Sequence, residues 1–259
     1  MFQNLTELYQ YRVLLWSLTL RELKARYRGS VLGFLWTFLN PTLLMLVYAL
    51  LFTVYMKQSL EHYTLFMFVG LLPWIWFSTS VGSGASAISD RRDLLTKVKF
   101  PPQVLPATVV LTNGINYALS LPLMVGISLL SGVRPTLHLL LLPLVALLQL
   151  LFTLGATYLV SALNVSFRDL QHVVNNLLTL AYFLTPVLYP VTNIPLEYRP
   201  LALYLNPMAG FVTAYQDLVY YHRLPDPGPL LSAGLVSVLL LVLASSFFNA
   251  RREDFAELV

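Results

Sequence analysis

The chain has 259 residues, 57% apolar and 11% charged, with mean hydropathy +0.70. A soluble domain carries about 25% charged residues, so a soluble enzyme is excluded, and the apolar richness excludes disorder. Zero cysteines exclude a disulfide framework, Cys-based metal sites and thiol nucleophiles, and a net charge of +4 is too small to imply a nucleic-acid partner.

Residues 1–30 open the chain with a basic, amphipathic segment. Val13, Trp16, Leu20, Leu23 and Tyr27 fall on one helical stripe, and Arg21, Lys24 and Arg28 share a neighbouring face. An apolar stripe beside a basic one suits a helix at the anionic headgroup boundary. A cytoplasmic helix packed on a partner has the same pattern. There is no short apolar core followed by a small-residue cleavage site, so a cleavable signal peptide is not expected.

Charge-free runs follow, from Gly29 to Met56, Thr64 to Ser89, Phe100 to Val133, Pro135 to Phe167, Leu170 to Leu196 and Pro227 to Ala250. Each exceeds the roughly 20 residues a helix needs to cross a hydrocarbon core. Their length favours helices over barrel strands of about 10 alternating residues. The expected fold is therefore an all-α integral membrane protein, with one domain over 1–259. Its six spans lie near 31–56, 64–88, 105–131, 139–163, 173–190 and 230–249. The loop 191–229 holds a shorter apolar run, Pro200 to Gln216, broken by Pro207 and Gly210, which reads as re-entrant or interfacial.

Basic residues orient the spans. Arg12, Arg21, Lys24, Arg26, Arg28, Arg91, Arg92, Lys97, Lys99, Arg168, Arg251 and Arg252 fall on one side, and Lys57, Arg134, Arg199 and Arg223 on the other. The positive-inside rule puts both termini in the cytoplasm and the loop 191–229 outside.

Several chemistries have no residues to carry them. All twelve Asp and Glu lie outside the spans or at their edges, whereas ion-coupled carriers place ionisable groups within the membrane. No Gly-Lys pair exists, so a phosphate-cradling P-loop is missing and the chain cannot use ATP alone. No catalytic or metal-ligating set is expected. Gly82-Ser-Gly84-Ala-Ser-Ala87 formally matches a dinucleotide fingerprint, but it sits late in a span with no preceding strand. Close helix packing is the expected role for those small residues, and for Gly29-Ser-Val-Leu-Gly33.

Uncharged polar residues inside the spans are patterned. In span 1, Thr37, Asn40, Tyr48 and Tyr55 project within an arc of roughly 80°. In span 5, Asn175, Thr179, Tyr182 and Pro186 follow i, i+4, i+7, i+11. Such stripes suit interhelical hydrogen bonds or the wall of a hydrated pathway, and spacing alone leaves both open. Trp74, Trp76 and Tyr189 beside prolines read as interface anchors, while Trp36, Tyr48, Phe52 and Tyr182 read as deeper. Asp90 to Pro102 reads as a short amphipathic cytoplasmic helix stopped by Pro101. Its mixed charge suits docking on a soluble protein or simple solvation.

Motifs along most of the chain resemble one family. They are Arg21-Glu-Leu-Lys-Ala-Arg-Tyr-Arg-Gly-Ser-Val-Leu-Gly-Phe-Leu-Trp36 followed by Asn40-Pro41, and Asp93-Leu-Leu-Thr-Lys-Val-Lys-Phe-Pro101 with Pro106. Further on come Phe167-Arg-Asp169, Thr185-Pro-Val-Leu-Tyr-Pro190 and Leu205-Asn-Pro207. In this order they resemble the membrane subunits of ABC-2 type polysaccharide exporters, O-antigen permeases foremost and capsule and teichoic-acid permeases next. Thr185 stands where Ser is commoner in that family.

The resemblance implies a bacterial inner-membrane homodimer of six-span subunits, completed by two ABC ATPase subunits that hold ATP and Mg. This chain itself would bind no cofactor. The implied substrate is a polyprenyl-diphosphate-linked glycan moved outward along a pathway that lies at the dimer interface and uses spans 1 and 5. It implies that Trp36, Thr37, Asn40, Tyr48, Phe52, Tyr55, Asn175, Thr179 and Tyr182 line the channel. Asp90, Arg91, Arg92, Asp93, Leu94, Leu95, Lys97 and Lys99 would couple to the ATPase. Short re-entrant helices would lie near 193–222. On this frame the basic residues Arg21, Lys24, Arg26 and Arg28 suit an entrance that attracts the lipid diphosphate, although the positive-inside rule alone also places those charges there. Two other functions stay open: a permease for teichoic acid, capsule or a small molecule, and a membrane enzyme acting on a polyprenyl lipid.

Overall fold

The computed structural model describes residues 2–93, 100–167, 169–252 and 255. Two helices open the chain, α1 (Phe2–Gln10) and α2 (Arg12–Tyr27). Then come α3 (Trp36–Ala49), α4 (Tyr63–Gly84), α5 (Val104–Leu130), α6 (Leu142–Ser166) and α7 (Leu170–Leu184). The short α8 (Arg199–Leu205) and α9 (Pro207–Val219) precede the last helix, α10 (Pro227–Arg251). A tight turn at Gly33–Leu35 leads into α3, and a wide π-helical segment, Leu50–Tyr55, prolongs it.

Five helical stretches among the described residues are long and apolar enough to cross a bilayer: Gly33–Tyr55, Tyr63–Gly84, Val104–Leu130, Leu137–Ser166 and Pro227–Arg251. They coincide with expected spans 1, 2, 3, 4 and 6. The fifth differs, because α7 stops at Leu184 instead of reaching 190. Thr185 is extended at φ −94°, ψ 135°. The ring of Pro186 disfavours helical geometry in the residue before it, which ends the helix there.

Helix α4 is the hub. Apolar all round, it has 83% of its hydrophobic window buried, against 17% for the stretch containing α3. A helix without a polar face belongs in the middle of the protein, and α4 touches α3, α5, α6, α7 and α9. Pro73 interrupts it, and buried Gln149 on α6 donates to the Pro73 carbonyl at 2.8 Å. Many hydroxyls donate one turn back within their own helix, as Thr108 does to Val104 at 2.7 Å and Ser237 to Ala233 at 2.6 Å. That satisfies a polar group where no water is available.

Helices α6 and α10 form the most extensive pair. A Cβ on Gly155 would stand 2.9 Å from the Leu241 backbone nitrogen, so the helices meet backbone to backbone. Gly82 and Gly84 also serve packing, because added Cβ atoms would meet Asn175 of α7 and Thr157 of α6. Gly29 and Gly33 do not fit the packing expectation. Both have positive φ, +78° and +48°, and no chain atom lies within 4 Å of either Cβ position. They turn the chain from α2 into the first span, a conformation that favours glycine.

On α2, Leu14, Leu15 and Leu18 pack toward Val104 and Leu105 of α5. Val13, Trp16 and Leu20 are exposed on the other side, as are Arg21, Lys24 and Arg28. The helix thus has one packed apolar face and one open one. Glu7 anchors α1 by pairing with Arg252 and Gln103.

The non-helical residues after Thr185 are held from three directions. Asn206 donates to Thr185 Oγ1 at 2.8 Å, Gln216 to the Pro186 carbonyl at 2.8 Å and Tyr63 to the Leu188 carbonyl at 2.7 Å. Helix α9 also carries buried Asp217, whose pKa burial raises and Arg223, at 2.7 Å, partly lowers again.

Candidate functional site

A cavity of about 730 Å³ opens between α3, α4, α5 and α7. Its polar wall comes from stripes that four helices turn toward one another. Helix α3 supplies Thr37, Asn40 and Tyr48, and α7 supplies Thr179 and Tyr182. Helix α4 adds Ser78 and Thr79, and α5 adds Asn113, Asn116 and Ser120. A second cavity of about 590 Å³ adjoins it, with Ser83, Gln171 and Asn175 in its wall. Arg26, Ser78, Thr79, Asn113, Leu178 and Thr179 border both cavities.

Aromatic rings floor the larger cavity. Tyr182 lies 6.1 Å from Tyr48 and 5.6 Å from Trp74, centroid to centroid. Trp76 stacks on Tyr117 at 5.0 Å and 14°, and its indole N–H donates to the Val110 carbonyl at 3.2 Å. Gly114 leaves room for that indole, because a Cβ there would be 3.3 Å from it. The hydroxyls of Thr79, Ser120 and Thr179 donate to their own helices, to Ile75, Asn116 and Asn175. Their lone pairs are left to accept from a ligand. Arg26 is the one charged residue among the described residues lining either cavity.

Rings that stack on C–H faces, beside neutral groups that exchange hydrogen bonds with hydroxyls, make a surface suited to sugar units. The site offers no acid–base pair or nucleophile–base pair for covalent chemistry.

Of the residues expected to line a pathway, Trp36, Thr37, Asn40, Tyr48, Thr179 and Tyr182 border the larger cavity, and Asn175 the smaller. Phe52 and Tyr55 border neither. Phe52 stacks against Tyr63 at 5.5 Å, and Tyr55 projects outward from the π-helical end of span 1. The wider turn of that segment moves both off the register that a regular helix gives. Trp74 and Trp76 are buried in the cavity wall instead of anchoring at an interface.

Sequence reasoning missed Asn113, Asn116, Tyr117 and Ser120, although their i, i+3, i+4, i+7 spacing is a helical stripe. Of the four entrance residues, Arg26 alone reaches the cavities; Arg21, Lys24 and Arg28 are exposed elsewhere on the segment. In the coupling segment, Arg91 pairs with Glu22 of α2, and Asp90 accepts from Ser86 at 2.6 Å. Arg92 and Asp93 are exposed, and Leu94, Leu95, Lys97 and Lys99 lie outside the described residues.

Comparison with known proteins agrees with this architecture. The profile of the ABC-2 type transporter family matches residues 13–220. The O-antigen export system permease protein RfbA of Myxococcus xanthus is 64% identical over 258 residues, 99% of each chain. A protein of the same name from Klebsiella pneumoniae is 31% identical over 93% of each chain. The polysialic acid transport protein KpsM of Escherichia coli is 23% identical over 92% of this chain and 93% of its own. A multi-pass helical membrane protein, similar end to end to export permeases, this chain belongs to the ABC-2 type transporter family.

Proposed function

We propose that the chain is the membrane subunit of an ATP-driven exporter that carries a lipid-linked polysaccharide of the O-antigen kind from the cytoplasm outward across the inner membrane. The observation that carries this reading is the aromatic, neutral-polar cavity inside a chain 64% identical to an O-antigen export permease. Two copies of the subunit work with two ABC ATPase subunits, which bind ATP and Mg; this chain binds neither. The substrate is a glycan on a polyprenyl diphosphate. Both termini face the cytoplasm, in agreement with the basic residues there.

In this reading α7 is the sixth membrane-crossing element. Its 15 residues span about 22 Å, short of a hydrocarbon core of about 30 Å, so the non-helical residues 185–190 complete the crossing. Helices α8 and α9 re-enter from the outside. The apolar residues exposed on α3, its π-helical extension and α7, Leu43, Val47 and Val54 with Leu177, Leu180 and Phe183, meet lipid or the second copy. Two apolar elements beside the cavity are where a symmetric partner would close a continuous path. The 90–99 segment docks on the ATPase, and the Arg91–Glu22 pair passes its movement to α2.

The test is export of lipid-linked glycan by the reconstituted complex. Tyr48→Ala and Tyr182→Ala each remove a ring from the cavity, and an aromatic contact is worth about 0.5–1.5 kcal/mol. Export should fall several-fold to about tenfold for each, since about 1.4 kcal/mol is a factor of ten. The Tyr→Phe variants, which keep the ring, should stay near wild type. Unchanged export in both alanine variants would remove the aromatic track. Transport of a small molecule, with no response to glycan, would overturn the polysaccharide reading itself.

A further inference from the structure

Arg26 stands where the two cavities meet, at the end of α2. Among the described residues its guanidinium, with five N–H donors, meets one acceptor, Asn113 Oδ1 at 3.0 Å, and no carboxylate at ion-pair distance. Arg91, Arg223 and Arg252 each have an acidic partner. Asn113 is only 4% exposed, and while its oxygen faces Arg26 its amide nitrogen is buried with no hydrogen-bond partner. A buried donor left unmade costs about 1–3 kcal/mol.

Arg26 is itself exposed, so its remaining N–H groups are open to a ligand, while the buried Asn113 amide nitrogen lacks an acceptor of its own. A sugar hydroxyl brings a donor as well as lone pairs. A phosphoryl oxyanion brings lone pairs and negative charge alone, and it binds guanidinium with charge-assisted geometry that a neutral amide cannot match. Resting on the export reading above, the geometry points to Arg26 and Asn113 as a binding site for a phosphoryl oxyanion, such as the diphosphate of a lipid-linked substrate. The anion takes over Arg26 from Asn113, and rotation of the freed amide turns its N–H₂ toward the same ligand.

The site also sits on a mechanical line. Glu22, one turn before Arg26 on α2, holds Arg91 at the start of the 90–99 segment. An occupant that draws Arg26 away from Asn113 shifts the helix to which that segment is tied. The substrate's charged head would thus be sensed on the cytoplasmic side before its sugars enter the cavity.

The experiment measures retention of a radiolabelled prenyl diphosphate by the complete permease–ATPase complex in nanodiscs, with empty nanodiscs subtracted. Arg26→Gln and Asn113→Asp should each weaken retention at least tenfold, the second because its carboxylate occupies Arg26 permanently. Arg26→Lys, which keeps the charge without the fork, should fall between. Arg12→Gln, on the same helix but away from the cavities, should match wild type. Displacement of the label by inorganic diphosphate shows that free and lipid-borne phosphoryl groups share the site. Displacement by prenyl diphosphate alone shows a lipid headgroup site.

No retention by wild type, equal loss in Arg12→Gln, or displacement by the prenyl alcohol would overturn the assignment. If Asn113→Asp fails to fold, as judged by its melting temperature, the Gln and Lys variants at Arg26 decide the matter. Export that persists while retention is insensitive to Arg26 sinks this site and leaves the function standing. Retention as described without any glycan movement does the reverse.

Discussion

Gly155→Val should lower the melting temperature of the detergent-solubilised subunit by about 6–12 °C, from a loss of about 3 kcal/mol at about 2–4 °C per kcal/mol. At Gly155 a single added Cβ would lie 2.9 Å from Leu241 N and 3.0 Å from Leu241 Cα. Those are backbone atoms of α10, so no side-chain rotation relieves the contact and the two helices must separate. The α10 residues that cluster with Leu154, Tyr158 and Ala162 of α6, namely Leu241, Ala244 and Phe248, lose dispersion contact as they part. Apolar burial offers no substitute inside a bilayer, where close packing is what holds helices together.

Two other glycines calibrate the result. A Cβ at Gly234 meets only the tip of the Leu148 side chain at 3.6 Å, and one at Gly126 meets nothing within 4 Å. Both Gly→Ala variants should melt within about 1–2 °C of wild type, because surface-like changes stay within about 0.5 kcal/mol. A Gly155→Val subunit that melts with them would show that α6 and α10 do not approach as described.

The sequence reading was sharpest where the bilayer acts as a ruler. Hydrocarbon thickness fixes a minimum run length, and five of the expected spans coincide with helices of the required length. The fifth run ends early as a helix because hydropathy does not register the local backbone rule at Thr185-Pro186, although both residues stand in plain view. Legibility inside the spans depended on contrast. The stripes of α3 and α7 stood out against leucine, and most of their members do border the cavities. Helix α4 has no such contrast, so nothing in its sequence said that Trp74 and Trp76 point inward.

Spacing was also blind to conformation. Gly29 and Gly33 have the separation of a packing motif but serve a turn, which only φ distinguishes. The four entrance residues illustrate a last limit. Leu15, Thr19, Glu22 and Arg26 share the face of α2 that packs inward, yet the sequence offers two apolar faces and does not say which one the protein buries.

The second large effect is expected at Asn206, which does two jobs with one amide. Its oxygen caps α9 by accepting from Met208 N at 3.1 Å, and its nitrogen donates to Thr185 Oγ1 at 2.8 Å. Removing an Asn cap costs about 1 kcal/mol. A side-chain hydrogen bond between membrane helices averages about 0.6 kcal/mol. Asn206→Ala should therefore cost about 1.5–2 kcal/mol and lower the melting temperature by about 3–8 °C. Asn206→Asp keeps the cap but has no N–H, so it should lose only the smaller part. Thr185→Val removes the acceptor and also the bond that its hydroxyl donates to the Ala181 carbonyl at 2.7 Å, so it should cost at least as much as Asn206→Asp. Combining Thr185→Val with Asn206→Ala should cost less than the two separately by about the energy of the shared bond. Additive losses would mean that the bond carries no energy of its own, and the non-helical end of α7 would then be held to α9 by Gln216 and Pro186 alone.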